Sequence, residues 1–156
     1  MDKFNCMKNK FFFFLTIFLF FSNCGFEPIY STKNLNFTIG NVEKRNTSLN
    51  NKFSKSINTL KNDKIDKKID IKIESDKNIK TKSKDSKGNA LVFELEINLK
   101  FSSLNTENKI EKLLSQKITY NNSDDKFKLK QYENELEQIL INKIVEDLIN
   151  YLSDIE

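Results

Sequence analysis

The sequence predicts an α+β fold, a two-layer sandwich in which a four-stranded sheet is covered by two helices in the order β-α-β-β-β-α. Four segments alternate apolar and polar residues, which is the period of a strand with one buried face. Two further segments place apolar residues three or four positions apart, the spacing of an amphipathic helix. A sheet with one apolar face needs a single covering layer, and two helices can supply it.

The opening segment, residues 1–23, has the layout of a secretory signal peptide. A short basic stretch precedes an apolar run over 11–21, broken by one threonine. As a helix this run reaches about 16 Å, against roughly 30 Å of membrane hydrocarbon, so a stable spanning helix is disfavoured. Cys24 follows where a bacterial lipobox carries its lipid-modified cysteine, although Phe21 and Asn23 depart from the usual lipobox residues. We therefore expect cleavage before Cys24 and lipidation of that residue.

Cleavage there would divide the chain into three parts. The signal peptide is followed by a lipidated tether, residues 24–34, and by one periplasmic α+β domain, residues 35–156. Because Cys6 would leave with the signal peptide, Cys24 is the only thiol expected in the mature protein. Gly25 after the cysteine is typical of lipoproteins that are passed to the outer membrane. The alternatives are an incidental cysteine after an ordinary signal peptide, or an uncut leader that acts as the anchor.

The first half of the domain predicts a strand, a helix and a second strand. Apolar and polar residues alternate over 35–39, and Gly40-Asn41 is expected to end this strand. Apolar residues recur at helical spacing over 47–61, with a polar residue available as the N-terminal cap. Isoleucines alternate with charged residues over 69–74, which predicts a strand with one solvated face.

The second half predicts a loop, two strands and a long helix. Residues 76–89 are almost entirely polar and end in a turn signal, which favours a solvated hairpin loop. The clearest strand alternation covers 91–101, and a shorter one covers 114–120. After the polar run 121–125, apolar residues recur at helical spacing until about Asp154.

The apolar stripe of this last helix is the broadest in the chain. A stripe at helical spacing usually packs in the core. Ile141, Val145 and Ile149 widen it beyond what one sheet face requires. A contact of these three residues with a partner is therefore an alternative to core packing.

Composition excludes several classes of function. The formal charge is +4 for the whole chain and +2 without the leader, too small an excess for a nucleic-acid-binding protein. The chain has no histidine to serve as a catalytic base, and its three glycines form no phosphate-binding loop. The Asp63/Asp66 and Asp124/Asp125 pairs lack the spacing of a cation site. We therefore expect no enzymatic activity, no metal site and no cofactor.

The segment that opens the mature chain, residues 24–30, reads Cys-Gly-Phe-Glu-Pro-Ile-Tyr. It resembles the Cys-Gly-Phe-x-Pro-Leu-Tyr start of the LPS-assembly lipoprotein LptE family of alphaproteobacteria. The chain length, the predicted element order and Thr-Tyr-Asn at 119–121 before the last helix are similar to that family. The resemblance implies an outer-membrane lipoprotein that plugs and assists assembly of the β-barrel translocon that inserts lipopolysaccharide into the outer leaflet.

The same resemblance implies the partners and the location. The partners would be an LptD-like outer-membrane β-barrel and lipopolysaccharide. A lipid anchor at Cys24, with palmitate among its fatty chains, would hold the domain on the outer membrane, facing the periplasm. Family members are not enzymes and carry no cofactor. The alternative function is a lipid-binding or accessory lipoprotein of another envelope transport system.

Lysines of the predicted loop are the candidate site for lipopolysaccharide. Ammonium groups attract lipid phosphates and acidic protein surfaces alike. The alternative is that they only keep a hairpin tip solvated in a lysine-rich chain. The candidate residues are Lys77, Lys80, Lys82, Lys84 and Lys87.

Overall fold

A computed structural model describes residues 35–104 and 110–155 of the 156-residue chain. These residues form four strands and two helices in the predicted order β-α-β-β-β-α. The elements are β1 Thr38–Lys44, α1 Ser48–Asn58, β2 Lys68–Lys84, β3 Ala90–Ser103, β4 Glu111–Asn121 and α2 Lys126–Ile155.

The four strands form one mixed sheet in the order β1-β2-β3-β4, an order that the sequence alone left open. β1 and β2 are parallel, joined through α1, and the other neighbours are antiparallel. α1 packs on β1 and β2, α2 packs on β3 and β4, and the helices pack against each other. Both helices therefore cover the same face of the sheet, which confirms the predicted two-layer α+β sandwich. We call the other face the open face.

The prediction that Gly40-Asn41 ends the first strand is wrong. β1 continues to Lys44, with a shift of its register against β2 between Ile39 and Val42. The backbone amide of Asn41 donates a hydrogen bond of 2.6 Å to Oδ1 of Asp70 on β2. A β carbon on Gly40 would lie 2.2 Å from that same oxygen. The glycine therefore marks a close approach of two strands within a bulge, and not a turn.

A Gly40→Ala variant is expected to lose about 1–3 kcal/mol of the free energy of unfolding, the usual range for overpacking at a tight contact. The added methyl displaces the Asp70 carboxylate and weakens its bond to the Asn41 amide. Urea denaturation followed by circular dichroism measures the change. A Gly88→Ala variant measures backbone strain without a clash, because its added methyl meets nothing within 4 Å but its φ of 86° disfavours alanine. An unchanged midpoint for Gly40→Ala would contradict the assigned role.

The first helix confirms its prediction. The Thr47 hydroxyl caps α1 by accepting a hydrogen bond of 3.2 Å from the Asn50 amide. Phe53 and Ile57, spaced four residues apart, are fully buried beneath it. The local pattern and the tertiary packing therefore select the same helix face.

The predicted loop over 76–89 is wrong for most of its length. β2 continues as a strand to Lys84 and pairs with β3, with register shifts between Thr81 and Ser83 and between Ser83 and Lys84. In that turn the Asp85 carboxylate accepts hydrogen bonds of 2.8 Å from the amides of Lys87 and Asn89. The backbone reverses at Gly88, whose φ of 86° favours glycine. The strand forms because β3 pairs with it along this length, although most of its own side chains are polar.

The broad stripe of α2 belongs to the core. Ile141 and Val145, which the sequence offered as partner-facing candidates, are buried, and Ile149 packs partly buried against them. The exposed large apolar residues of α2 are instead Phe127, Tyr132, Ile139 and Ile155. The core between sheet and helices holds Phe37, Ile39, Phe53, Ile57, Ile69, Ile71, Ile73, Leu95, Ile97, Leu99, Phe101, Leu114, Tyr120, Leu136, Leu140, Ile141, Ile144, Val145, Leu148 and Leu152.

Candidate functional site

The predicted lipidation residue, Cys24, lies outside the described residues, as does the tether that follows it. Its acylation stays a prediction from sequence. None of the helices in the described part of the chain has the length and apolarity that crossing a membrane requires.

The five candidate lysines do not share one loop. Four of them belong to β2, and Lys87 lies in the turn that follows it. Because side chains on a strand alternate between its faces, Lys77 lies on the helix side while Lys80 and Lys82 lie on the open face. Lys84 closes the strand. The structure therefore separates the predicted cluster into three environments.

Lys77 takes part in an internal ion cluster centred on Glu137 of α2. The Glu137 carboxylate accepts one hydrogen bond of 2.6 Å from Lys77 Nζ and another of 2.6 Å from Lys52 Nζ on α1. Only 6% of the Glu137 side chain is accessible. Burial by itself raises the pKa of Glu137, but the hydrogen bonds and charges of the two lysines outweigh it and hold that pKa below its usual value. The Lys77 ammonium is thus engaged in an ion pair that connects β2 with α1 and α2.

Lys80 and Lys82 are neutralised on the open face. Lys80 Nζ lies 3.0 Å from Glu96, and Lys82 Nζ lies 3.3 Å from Glu94, both on β3. Such cross-strand ion pairs leave little net charge to attract an anion. Neither lysine is therefore a strong candidate for phosphate binding.

Lys84 and Lys87 remain as exposed cations at the β2–β3 turn. Neither has an acidic partner within residues 35–104 and 110–155. Asp85 is the acidic neighbour in the turn. A hydrogen bond from the Asn89 side chain lowers the pKa of its carboxyl most, and hydrogen bonds from backbone amides of the turn lower that pKa further. The turn thus presents two ammonium groups without an acidic partner, on a backbone whose amides the Asp85 carboxylate binds.

Aromatic side chains lie near this turn, on the helix side of the sheet. The Phe93 and Tyr120 rings lie 5.6 Å apart, and Tyr132 of α2 meets Tyr120 edge-on at 6.3 Å. Tyr120 donates a hydrogen bond of 2.7 Å to Glu133, and burial together with this carboxylate raises its pKa. Phe127, in the first turn of α2, is 73% exposed. We call this group with the turn lysines the hairpin end.

The hairpin end has the character of a contact surface, since it combines exposed apolar side chains with uncompensated positive charge. Within the described ranges, no three acidic or sulfur side chains converge so that they could hold a metal ion. The Asp125 carboxylate instead caps α2, accepting hydrogen bonds from the amides of Phe127 and Lys128.

The sequence pattern indicates the candidate lysines but not the Glu137 carboxylate that binds one of them, Lys77. A signal for Glu137 existed, because it lies four residues before Ile141 on the apolar stripe of the last helix. A charge on such a stripe is buried with a partner or displaced from the core. Its partners lie 60 and 85 positions away, so their identity was not readable from spacing.

No protein-family model matches the chain, and no curated protein matches it. Solved structures do match. Rare lipoprotein B from Shewanella oneidensis aligns with a TM-score of 0.54 at 12% identity, covering 74% of this chain and 96% of that one. A minor lipoprotein from Acinetobacter baumannii aligns with a TM-score of 0.54 at 12% identity, covering 77% and 94%. An uncharacterized lipoprotein B from Nitrosomonas europaea aligns with a TM-score of 0.51 at 15% identity, covering 76% and 86%.

These three proteins are matched over most of their length, so the likeness extends to the whole architecture and not to one supersecondary unit. At such low identity it concerns the fold. The chain therefore has the α+β fold of rare lipoprotein B and related bacterial lipoproteins.

Proposed function

We propose that this protein is an outer-membrane lipoprotein that plugs and assists assembly of the β-barrel translocon that inserts lipopolysaccharide into the outer leaflet. The observation that carries the proposal is the pairing of an LptE-like start, residues 24–30, with the fold of rare lipoprotein B in the domain behind it. Neither feature is informative alone, because short motifs recur by chance and folds host many functions. Together they favour one family of envelope lipoproteins.

The open face suits contact with a hydrated pore. The lumen of an outer-membrane barrel is polar and water-filled, so a plug needs a polar surface with little net charge. Ion pairs neutralise the open face across its strands, including Lys80 with Glu96 and Lys100 with Glu111. A face of this kind keeps its hydration when it meets a polar wall, which supports the plug role.

The length of β2 supports the same arrangement. β1 begins beside the start of β2, with Thr38 paired to Lys68, whereas the β2–β3 turn lies beyond Lys84. At 3.3 Å per residue the turn is roughly 50 Å from the end at which the N-terminal tether joins. The apolar band of an outer-membrane barrel is only about 25 Å tall. A domain anchored at its N-terminal end therefore has the reach to place its hairpin end inside a pore.

Lys84 and Lys87 are the lysines that we propose for lipopolysaccharide contact. A Lys84→Gln/Lys87→Gln variant should bind lipopolysaccharide roughly five-fold more weakly, the equivalent of about 1 kcal/mol for two exposed charges. A Lys80→Gln/Lys82→Gln variant is the matched control, because glutamates already neutralise those lysines. Equilibrium binding of labelled lipopolysaccharide to the purified full chain measures both. Equal losses for the two variants would remove the assignment.

Co-purification from native membranes tests the proposed function. We expect the tagged full chain to recover the large lipopolysaccharide-transport barrel after mild solubilisation. Recovery of the subunits of another envelope transporter, without the barrel, would favour an accessory lipoprotein of that system. Recovery of neither, from cells that contain the barrel, would contradict the plug role.

A further inference from the structure

Hydrogen bonds tie the first turn of α2 to the β2–β3 turn. The Asn122 side chain donates a hydrogen bond of 2.8 Å to the Ala90 carbonyl and accepts one of 3.1 Å from Lys126 Nζ. Ala90 begins β3 and pairs with Lys84 at the end of β2. The start of α2 and the lysines of the turn therefore lie together at the hairpin end.

Lys126 is a third lysine at this end without an acidic partner. Its Nζ donates hydrogen bonds to two neutral oxygens, Asn122 Oδ1 and, at 2.9 Å, the Ser123 carbonyl. Within residues 35–104 and 110–155 no carboxylate forms an ion pair with it. Together with the two turn lysines, Lys126 gives the hairpin end three ammonium groups whose charge no ion pair cancels.

Two exposed apolar side chains flank this hydrogen-bonded link. Leu91 follows Ala90 on β3 and is 49% exposed. Phe127 follows Lys126 on α2 and is 73% exposed, more than any other large apolar side chain in the described part of the chain. A single exposed apolar residue is common, but an apolar group beside unpaired cations forms an amphipathic surface. Such a surface fits a ligand that carries negative charge and apolar chains together.

The surroundings expected of the hairpin end favour a lipid as that ligand. In the proposed function this end lies inside a barrel whose lumen is polar. A polar wall leaves Leu91 and Phe127 in contact with water, whereas an acyl chain removes their surface from it. Lipid phosphates attract the three ammonium groups at the same time. Of the wall, the water and the lipid that passes through such a pore, only the lipid matches both halves of the surface.

We propose that the hairpin end binds the acyl chains of a phosphorylated lipid as well as its phosphates. Leu91 and Phe127 contact the acyl chains. Lys126 joins Lys84 and Lys87 at the phosphates. The lipid is lipopolysaccharide, as supplied by the proposed function, on which this assignment rests. Because one molecule is held both at its headgroup and along its chains, the site prefers an intact lipid to a free phosphate.

Site-specific photo-cross-linking of the full chain in its own cells tests this assignment. Benzoylphenylalanine, which inserts into nearby C–H bonds under ultraviolet light, replaces either Leu91 or Phe127. Leu113 and Ile139 are the matched control positions, because they are also exposed apolar residues, 63% and 45% accessible, outside the hairpin end. We expect the cross-linked product with lipopolysaccharide to be roughly ten-fold more abundant at the first two positions, since only groups in contact come within about 4.5 Å. Mass spectrometry should locate the new bond on an acyl chain.

Lys126→Gln, combined with the probe at Phe127, should reduce the yield of that product roughly three-fold. Lys128→Gln is its control, because Lys128 already pairs with Asp125 at 3.5 Å. Equal yields at all four probe positions, a bond on the sugar part alone, or a cross-link to a protein in place of lipopolysaccharide would overturn the assignment, as would equal effects of the two lysine variants. Co-purification of the barrel is measured on the unsubstituted chain, so failure of the plug role is distinguished from failure of this lipid contact.

Discussion

A Glu137→Ala variant is expected to lose about 2 kcal/mol of the free energy of unfolding. Removing one partner of a buried ion pair costs about 3–5 kcal/mol, because the other charge is left desolvated. Here the Lys52 and Lys77 side chains are 38% and 34% accessible, so both can turn toward water and part of that cost is recovered. The remainder reflects the loss of the contact that joins α1, α2 and β2.

The stabilisation by Glu137 should also depend on pH. Folding lowers the pKa of this carboxyl below its ordinary value of 4.5, so the folded state favours the ionised form. The contribution is therefore complete above the unfolded pKa and is lost as the pH falls through the folded pKa. A Glu137→Gln variant should approach the stability of the unsubstituted chain in acid and fall behind it at neutral pH.

Urea denaturation at pH 7 and at acidic pH measures both effects. Glu135→Ala is the matched control, since Glu135 is an exposed glutamate on the same helix and only two positions away. We expect that variant to stay within about 0.5 kcal/mol of the unsubstituted chain. Equal stability of the Glu137 and Glu135 variants would mean that the ion cluster adds nothing to the fold.

A Cys24→Ser variant is expected to lose fatty-acid labelling entirely and to leave the outer-membrane fraction. Each buried methylene contributes about 0.8 kcal/mol to membrane binding, so the loss of all acyl chains removes the anchor and not merely part of it. Labelling with radioactive palmitate followed by membrane fractionation measures the change. Cys6→Ser is the matched control, because Cys6 lies in the predicted leader and should leave labelling intact. Label retained by Cys24→Ser would place the lipid elsewhere.

Much of the architecture was predictable because each element has one apolar face. Local periodicity predicts the strand that contains Leu95, Ile97 and Leu99, and it predicts the helix capped by Thr47. The packing of both elements agrees with that periodicity. Secondary structure can be predicted from sequence where the local pattern and the tertiary environment agree in this way. The strand order was not predictable, since it depends on which edges meet in space.

The errors have a common physical origin in contacts between distant residues. Apart from Ile79, the second half of β2 is polar on both faces, so no periodicity distinguishes it from a loop, and its structure comes from pairing with β3. Gly40 looked like a turn residue, but Asp70, thirty positions later, makes it a bulge. The sequence pattern predicts Lys77 to be a surface cation, whereas in the fold it forms an ion pair with Glu137 of α2. Charge and turn signals alone do not reveal such partners.

Depletion of the protein in its own cells tests the central claim most directly. The quantities to measure are the amount of correctly folded lipopolysaccharide-transport barrel in the outer membrane and the amount of lipopolysaccharide on the cell surface. The account predicts that both fall together, and that re-expression of the unsubstituted chain restores them while Cys24→Ser does not. Normal barrel folding and normal surface lipopolysaccharide after full depletion would contradict it.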